Sequence, residues 1–273
     1  MPEPLRVPAG CRLRPEYCNG LVGHWKMNVG GVLIPDLSGY NNHGTRTNMA
    51  NPPTAISGWA GLGDILDGVD DYVNIIDNNI FSFGNGIVDT PFSISAWVKM
   101  NDATDFKIVG KGSSNSNGEY RIITGSDDIL SFITFDNSVS SCYFGRRFDT
   151  ALTSYEGRWI HIIGVYDGSA SSAGFKLYIN GVRVDDANNQ HNGVSYVAME
   201  NLTANVQIGK YTGGVNNYSN GLIDDVRIYN RALRAAEIAH AYYQQEDEWD
   251  LGLDDDLAIM QGIPIELMRG GVA

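Results

Sequence analysis

Carboxylates, imidazoles and thiols are the side chains of this sequence that could move protons, hold a metal or attack a substrate. Hydrolysis by acid and base needs two carboxylates facing one substrate at a set separation. Asp70-Asp71 and Asp127-Asp128 are adjacent pairs, and neighbours on a strand point to opposite faces, so neither pair can cooperate. Glu246-Asp-Glu248 is the nearest alternating pair, and it falls in an acidic C-terminal stretch. The five histidines, His24, His43, His161, His191 and His240, show no ligand spacing such as His-x-x-x-His. His161 lies in an apolar run and reads as a core histidine with a satisfied hydrogen bond. Cys142 has no recognisable partner nearby, and no Gly-rich phosphate loop follows a strand. The expectation is a protein without catalysis.

A second chemistry fits the residues better. Tyr211-Thr-Gly-Gly-Val-Asn-Asn-Tyr-Ser-Asn220 places Tyr211, Asn216, Asn217 and Tyr218 in one loop. Aromatic rings stack on the C–H faces of a pyranose, and planar amides hydrogen-bond its hydroxyls. Trp97 and Tyr120 are expected on the same exposed sheet face, which makes six glycan-binding candidates. The plainer alternative is a long polar turn whose aromatics finish the rim of the fold.

The elements that must position these residues are mostly strands. From Leu21 to about Tyr229, short apolar segments alternate with Gly, Asn, Asp and Ser clusters, the pattern of an antiparallel β-sandwich. In Phe92-Ser-Ile-Ser-Ala-Trp-Val-Lys99 the apolar Phe92, Ile94, Ala96 and Val98 share one face, with Trp97 on the other. Trp159-Ile-His-Ile-Ile-Gly-Val-Tyr166 is apolar on both faces and predicts a central strand covered on each side. Asn180-Gly181, between Phe175-Lys-Leu-Tyr-Ile179 and Val182-Arg-Val184, predicts a type I′ hairpin. Ile129 to Phe135 and Leu222 to Tyr229 read as further strands. Ala232 to Gln245 carries a helical apolar stripe and is expected to lid one end of the sandwich.

Composition narrows the partners. The chain has 273 residues and a formal net charge of -13, with no basic run, so it offers no footprint for nucleic acid or an anionic membrane. No apolar stretch approaches the roughly 20 residues of a transmembrane helix. The N-terminus has no continuous apolar region of the secretory type. Three cysteines rule out a disulfide scaffold; Cys11 and Cys18 could close a small loop, but unpaired thiols are the expectation.

Several segments, in order, resemble the LamG-like, concanavalin A-like jelly-roll domains. They are Leu21-Val-Gly-His-Trp-Lys-Met-Asn28, Asp36-Leu-Ser-Gly-Tyr-Asn-Asn-His-Gly44, Leu66-Asp-Gly-Val-Asp-Asp-Tyr-Val73 and Phe92-Ser-Ile-Ser-Ala-Trp-Val98. Trp159-Ile-His, Leu177-Tyr-Ile-Asn-Gly181 and Gly221-Leu-Ile-Asp-Asp-Val-Arg-Ile-Tyr-Asn-Arg-Ala-Leu233 continue the series. The resemblance implies an all-β jelly-roll sandwich over 21–245, flanked by an N-terminal arm, 1–20, and a C-terminal arm, 246–273. It also implies a structural calcium ion bridging the first and last strands, with Asp224 and Asn28 as oxygen ligands. Asn28 stands where the family usually has an acid, which weakens that site. Arg234 stands where a Ser N-cap is usual, a loss worth about 1 kcal/mol, so packing must hold the helix. The same fold class hosts glycoside hydrolases, whose Glu-x-Asp-x-(x)-Glu signature matches none of the nine Glu residues in the sandwich or arms.

The C-terminal arm holds eight acids and one base, so more than half of the net charge sits there. Its acids interleave with Leu251, Leu253, Leu257, Ile259, Met260, Ile263, Ile265, Leu267 and Met268, more apolar side chains than a disordered tail carries. These residues are expected to dock the protein to neighbouring subunits or its own body. Met1 without an export signal, together with the two arms, leads to the expectation of an outward-facing virion component, such as a phage capsid-decoration or tail-associated protein. Such a component would be oligomeric in its assembly and would carry the sandwich at the virion surface. The alternative is a stand-alone carbohydrate-binding or adhesion module of an extracellular system.

Overall fold

Alternating apolar residues set the inner face of the central strands, and two sheets close over the core they make. The computed structural model describes residues 18–27, 31–49, 64–112, 117–139, 142–193, 195–211 and 218–250. Asn28, Asn216, Asn217, Cys11 and the docking candidates Leu251, Leu253, Leu257, Ile259, Met260, Ile263, Ile265, Leu267 and Met268 lie outside them. In chain order the strands are β1 (Leu21–Trp25), β2 (Leu33–Ile34), β3 (Gly44–Thr47), β4 (Asp64–Asp67), β5 (Tyr72–Ile75) and β6 (Phe92–Met100). There follow β7 (Lys107–Lys111), β8 (Tyr120–Thr124), β9 (Leu130–Asp136), β10 (Cys142–Phe148) and β11 (Ile160–Tyr166). The last are β12 (Phe175–Ile179), β13 (Val182–Arg183), β14 (Asp185–Asn192), β15 (Val206–Ile208) and β16 (Asn220–Tyr229), then the helix α1 (Ala235–Asp250).

A seven-stranded antiparallel sheet runs β1-β16-β6-β11-β12-β13, with β4 on the other half of the β16 edge. A nine-stranded sheet runs β14-β10-β9-β8-β7-β15-β5-β3-β2. This is the jelly-roll sandwich that the sequence predicts. Between the sheets, Phe92 stacks on Phe83 at 4.4 Å and meets Tyr120, Phe132 and Tyr166 at 4.9, 5.3 and 5.9 Å. Such aromatic pairs add about 0.5–1.5 kcal/mol each beyond the area they bury. The hairpin turn has φ of 50° at Asn180 and 76° at Gly181, as a type I′ turn requires.

The helix does not lid an end of the sandwich, as expected; it lies along the outer face of the seven-stranded sheet. Leu233 and Ile238 pack there on Leu21, Ile163, Val165 and Tyr229. β11 presents apolar residues on both faces, so its outer side needs a cover, and the helix supplies it. Its start is held without a Ser cap. The Arg234 N–H donates to Glu237 Oε2 at 2.8 Å, one half of a capping box, and Arg231 pairs with the same carboxylate at 2.8 Å. Cys18 is disulfide-bonded, against the expectation of unpaired thiols, because pairing depends on chain geometry that spacing alone does not give; Cys142 is free and buried. No helix among the described residues is long and apolar enough to cross a membrane.

Candidate ligand-binding face

Inward residues on the nine-stranded sheet include Tyr120, Ile122, Phe132, Val73 and Val206, all in the core. Their neighbours therefore point outward. A row crosses six strands on that outer face: Gln207 opposite Gly110, Gly110 opposite Arg121, Arg121 opposite Ile133, Ile133 opposite Gly145, and Gly145 opposite His191. Without side chains at Gly110 and Gly145, the row is shallow on either side of Arg121 and Ile133.

Aromatic rings and cations dominate this face. The Arg121 guanidinium lies 5.0 Å from the Phe135 ring centre and 4.5 Å from that of Tyr211. Burial pushes its pKa down from the ordinary arginine range. Lys210 Nζ sits 3.9 Å over the Tyr72 ring and 5.2 Å from that of Tyr218. Tyr143, opposite Phe135 on the neighbouring strand, is 37% exposed and meets His191 at 5.1 Å. Burial, then Arg147 and Arg121, lower the His191 pKa to about 4, so near neutral pH it is an uncharged donor and acceptor.

Of the sequence candidates, Tyr211 and Tyr218 reach this face, while Asn216 and Asn217 lie outside the described residues. Trp97 and Tyr120 do not share it. Tyr120 is 0% exposed and faces the core, because β8 turns Arg121 outward instead. Trp97 points out of the seven-stranded sheet but is 2% exposed, stacked on His161 at 4.9 Å and covered by Tyr242 of the helix at 5.8 Å. Arg121, Tyr143, His191, Tyr72 and Lys210 were not anticipated. The available signal was Arg121 between Tyr120 and Ile122, a charge in a strand otherwise apolar.

The metal expectation falls on a bulge. Register shifts between Asp224 and Arg227 on β16 opposite β6, and Asp225 takes a φ of 47°. Asp224 Oδ1 accepts from the Met27 and Asp225 N–H groups at 2.9 and 2.7 Å, while burial and then Asp225 raise its pKa to about 7. Asp225 has its own cation, Arg227 at 2.7 Å, with His24 also at 2.7 Å; these hold its pKa far below the carboxylate range against the cost of burial. At the β4–β5 turn, carboxylate oxygens of Asp67, Asp70 and Asp71 lie within 4.8 Å of one another. One arrangement has the outline of a nucleophile and base: the Ser95 hydroxyl is 2.8 Å from His161 Nε2. Both residues are 2% exposed beneath the helix, and His161 Nδ1 has no hydrogen-bond partner among the described residues. Among the described residues no carboxylate hydrogen-bonds to that imidazole, as a triad would need.

With this architecture in view, a sequence model described as the concanavalin A-like lectin/glucanases superfamily matches residues 67–239. The chain belongs to that superfamily. It is 28% identical over 166 residues to adhesion G-protein coupled receptor V1 of Danio rerio, which covers 59% of this chain and 2% of the receptor. Domain 4 of a GH43 extracellular arabinanase from Geobacillus stearothermophilus, solved with arabinotriose, superposes with a TM-score of 0.58 at 21% identity, over 80% of this chain and 96% of that domain. The binding domain of botulinum neurotoxin DC, solved with rat synaptotagmin II, gives a TM-score of 0.60 at 17% identity over 84% of this chain and 52% of the other. The two structural likenesses speak for the fold alone.

Proposed function

We propose that this lectin-fold chain is a non-catalytic carbohydrate-binding or adhesion module of an extracellular system, with its ligand on the outer face of the nine-stranded sheet. The observation that carries this reading is the contrast in cover. The helix seals the aromatic residues of one outer face, while Tyr143 on the other stays exposed beside His191 and the clamped Arg121. Aromatic platforms with a few fixed polar groups are the recognition chemistry of sugars. The relatives support an adhesion or glycan-linked role: one is an adhesion receptor, and one is an arabinanase domain solved with an oligosaccharide. They give no support to the virion setting expected from the sequence. The Cys18 disulfide also favours an oxidising, extracellular compartment. The test is a glycan array probed with the full chain. Retention of defined glycans, reduced in Tyr143→Ala and Tyr218→Ala, supports the reading; an array with no retained glycan ends it.

A structural calcium ion at Asp224 belongs to the same proposal. The fit lies in the donor set: a buried carboxylate raised to about 7, with no cation within ion-pair distance among the described residues, while Asp225 beside it has two basic partners. A hard cation would favour the ionised form of Asp224. Calcium titration followed by thermal melting should raise Tm at pH 8, and an unchanged Tm ends the idea.

A further inference from the structure

Arg121 differs from the buried bases of the body in what it touches. Lys107, Lys111, Arg146 and Arg227 each have a carboxylate within 3.3 Å, and Arg46 donates to the Gly31 and Met27 carbonyls. The half-buried Arg121 has no carboxylate within ion-pair distance among the described residues. It is held instead by the faces of Phe135 and Tyr211, with a hydrogen bond to the Tyr211 side chain. Its Nε is enclosed and has no hydrogen-bond partner among the described residues.

Lys210 repeats the pattern, next to Tyr211 in the chain. Its ammonium rests on Tyr72 and Tyr218, again with no carboxylate in ion-pair range among the described residues. Two such bases flank Tyr211 on the one outer face that the helix leaves open.

We infer that this face selects glycans carrying a sugar carboxylate, with Arg121 as its main contact and Lys210 as a second positive charge. The inference rests on the carbohydrate-binding reading above and names the ligand class of that same face. With Nε enclosed, the edge of the guanidinium left to a ligand is that of its two terminal nitrogens, which matches a carboxylate with two parallel hydrogen bonds. The rings that hold the cation are also the surface on which a pyranose stacks. His191, neutral near pH 7, adds a hydrogen bond without a further charge. The net charge of -13 repels a densely charged polyanion, whereas a sugar with one carboxylate needs only the two local bases.

The experiment is calorimetric titration of the full chain with matched pairs of probes. One pair is galacturonate and its methyl ester, which removes the single charge and keeps the shape. The other is sialyllactose and lactose, so the two pairs separate uronic acids from sialic acids. Expected is tighter binding of at least one acid than of its neutral match by roughly tenfold or more. Arg121→Gln should erase that gap, Arg121→Lys should retain part of it, and Lys210→Gln should narrow it less. Melting curves check that each variant is folded, and the Lys variant keeps the charge should Gln misfold. Equal binding of acid and neutral probes, or a preference untouched in folded Arg121→Gln and Arg121→Lys, overturns the inference while the carbohydrate reading stands. Binding of neither these probes nor any glycan on the array overturns both.

Discussion

On the outer face of the seven-stranded sheet, Trp97, His161 and Tyr242 form a near-parallel stack with interplanar angles of 23°, 22° and 17°. Ser95 occupies the imidazole Nε2 at 2.8 Å, and beside the stack Leu233 and Ile238 pack on Ile163 and Val165 of the same face. On the outer face of the nine-stranded sheet, rings are as plentiful, yet they clamp cations and leave Tyr143 in solvent. Both faces therefore hold aromatics beside nitrogen bases. What separates them is the helix, which arrives after the last strand and covers only one. An aromatic on an outer strand face signals binding only where no later segment of the chain claims it.

The largest effect should come from the covered stack. Trp97→Ala removes a buried indole that packs on both His161 and Tyr242 and should cost about 3–5 kcal/mol in urea unfolding. A loss below about 1 kcal/mol would mean that the helix is not seated on Trp97, and the contrast between the faces would fail. The next effect is pH-dependent. Burial lowers the His161 pKa to about 3, while the unfolded chain takes up that proton near 6.5. The stability this group contributes is thus full above 6.5 and falls as pH drops toward 3. Comparing wild type with His161→Gln, the difference should shrink by about 2 kcal/mol between pH 8 and pH 5. Asp224, raised to about 7 from 3.8, works in the opposite sense over that window, gaining stability as pH falls, so the pairwise comparison is needed to isolate His161.

Much of the sandwich was legible because strand periodicity is local. The alternation from Phe92 to Lys99 assigned each of those residues to its face, and Asn180-Gly181 fixed the hairpin register. The same alternation placed Trp97 outward, but it holds no information on what covers a face. That depends on Tyr242, which is remote in sequence and adjacent in space. Tyr120 was misplaced because the short strand Tyr120–Thr124, wedged behind Gly118 and Glu119, gave no period from which to tell it from Arg121. The binding face was illegible for a further reason. Arg121 gains meaning only when Phe135 and Tyr211, from two other segments, close on it, and a lone charge in a strand otherwise reads as solvated.

A smaller effect tests how the cover is fixed. Glu237 both accepts the Arg234 N–H and pairs with Arg231, so Glu237→Ala should lower stability by about 1 kcal/mol. Loosened, the helix should also raise hydrogen exchange at Trp97 and His161 while leaving Arg121 unchanged. Equal acceleration on both faces would show that the helix start supports the whole sandwich rather than one side of it.

The smallest stability effect belongs to the open face, and it sharpens the comparison most. Tyr143 is 37% exposed and touches Phe135 and His191 at its edge, so Tyr143→Ala should change unfolding free energy by roughly 0.5 kcal/mol. Its stacking surface would nonetheless be gone, and retention on the glycan array should fall although the fold is intact. A large stability loss would make Tyr143 a structural residue like Trp97, and the two faces would then differ only in degree. An unchanged fold with unchanged retention would move the ligand away from β10, toward the Lys210 and Tyr72 end of the same sheet.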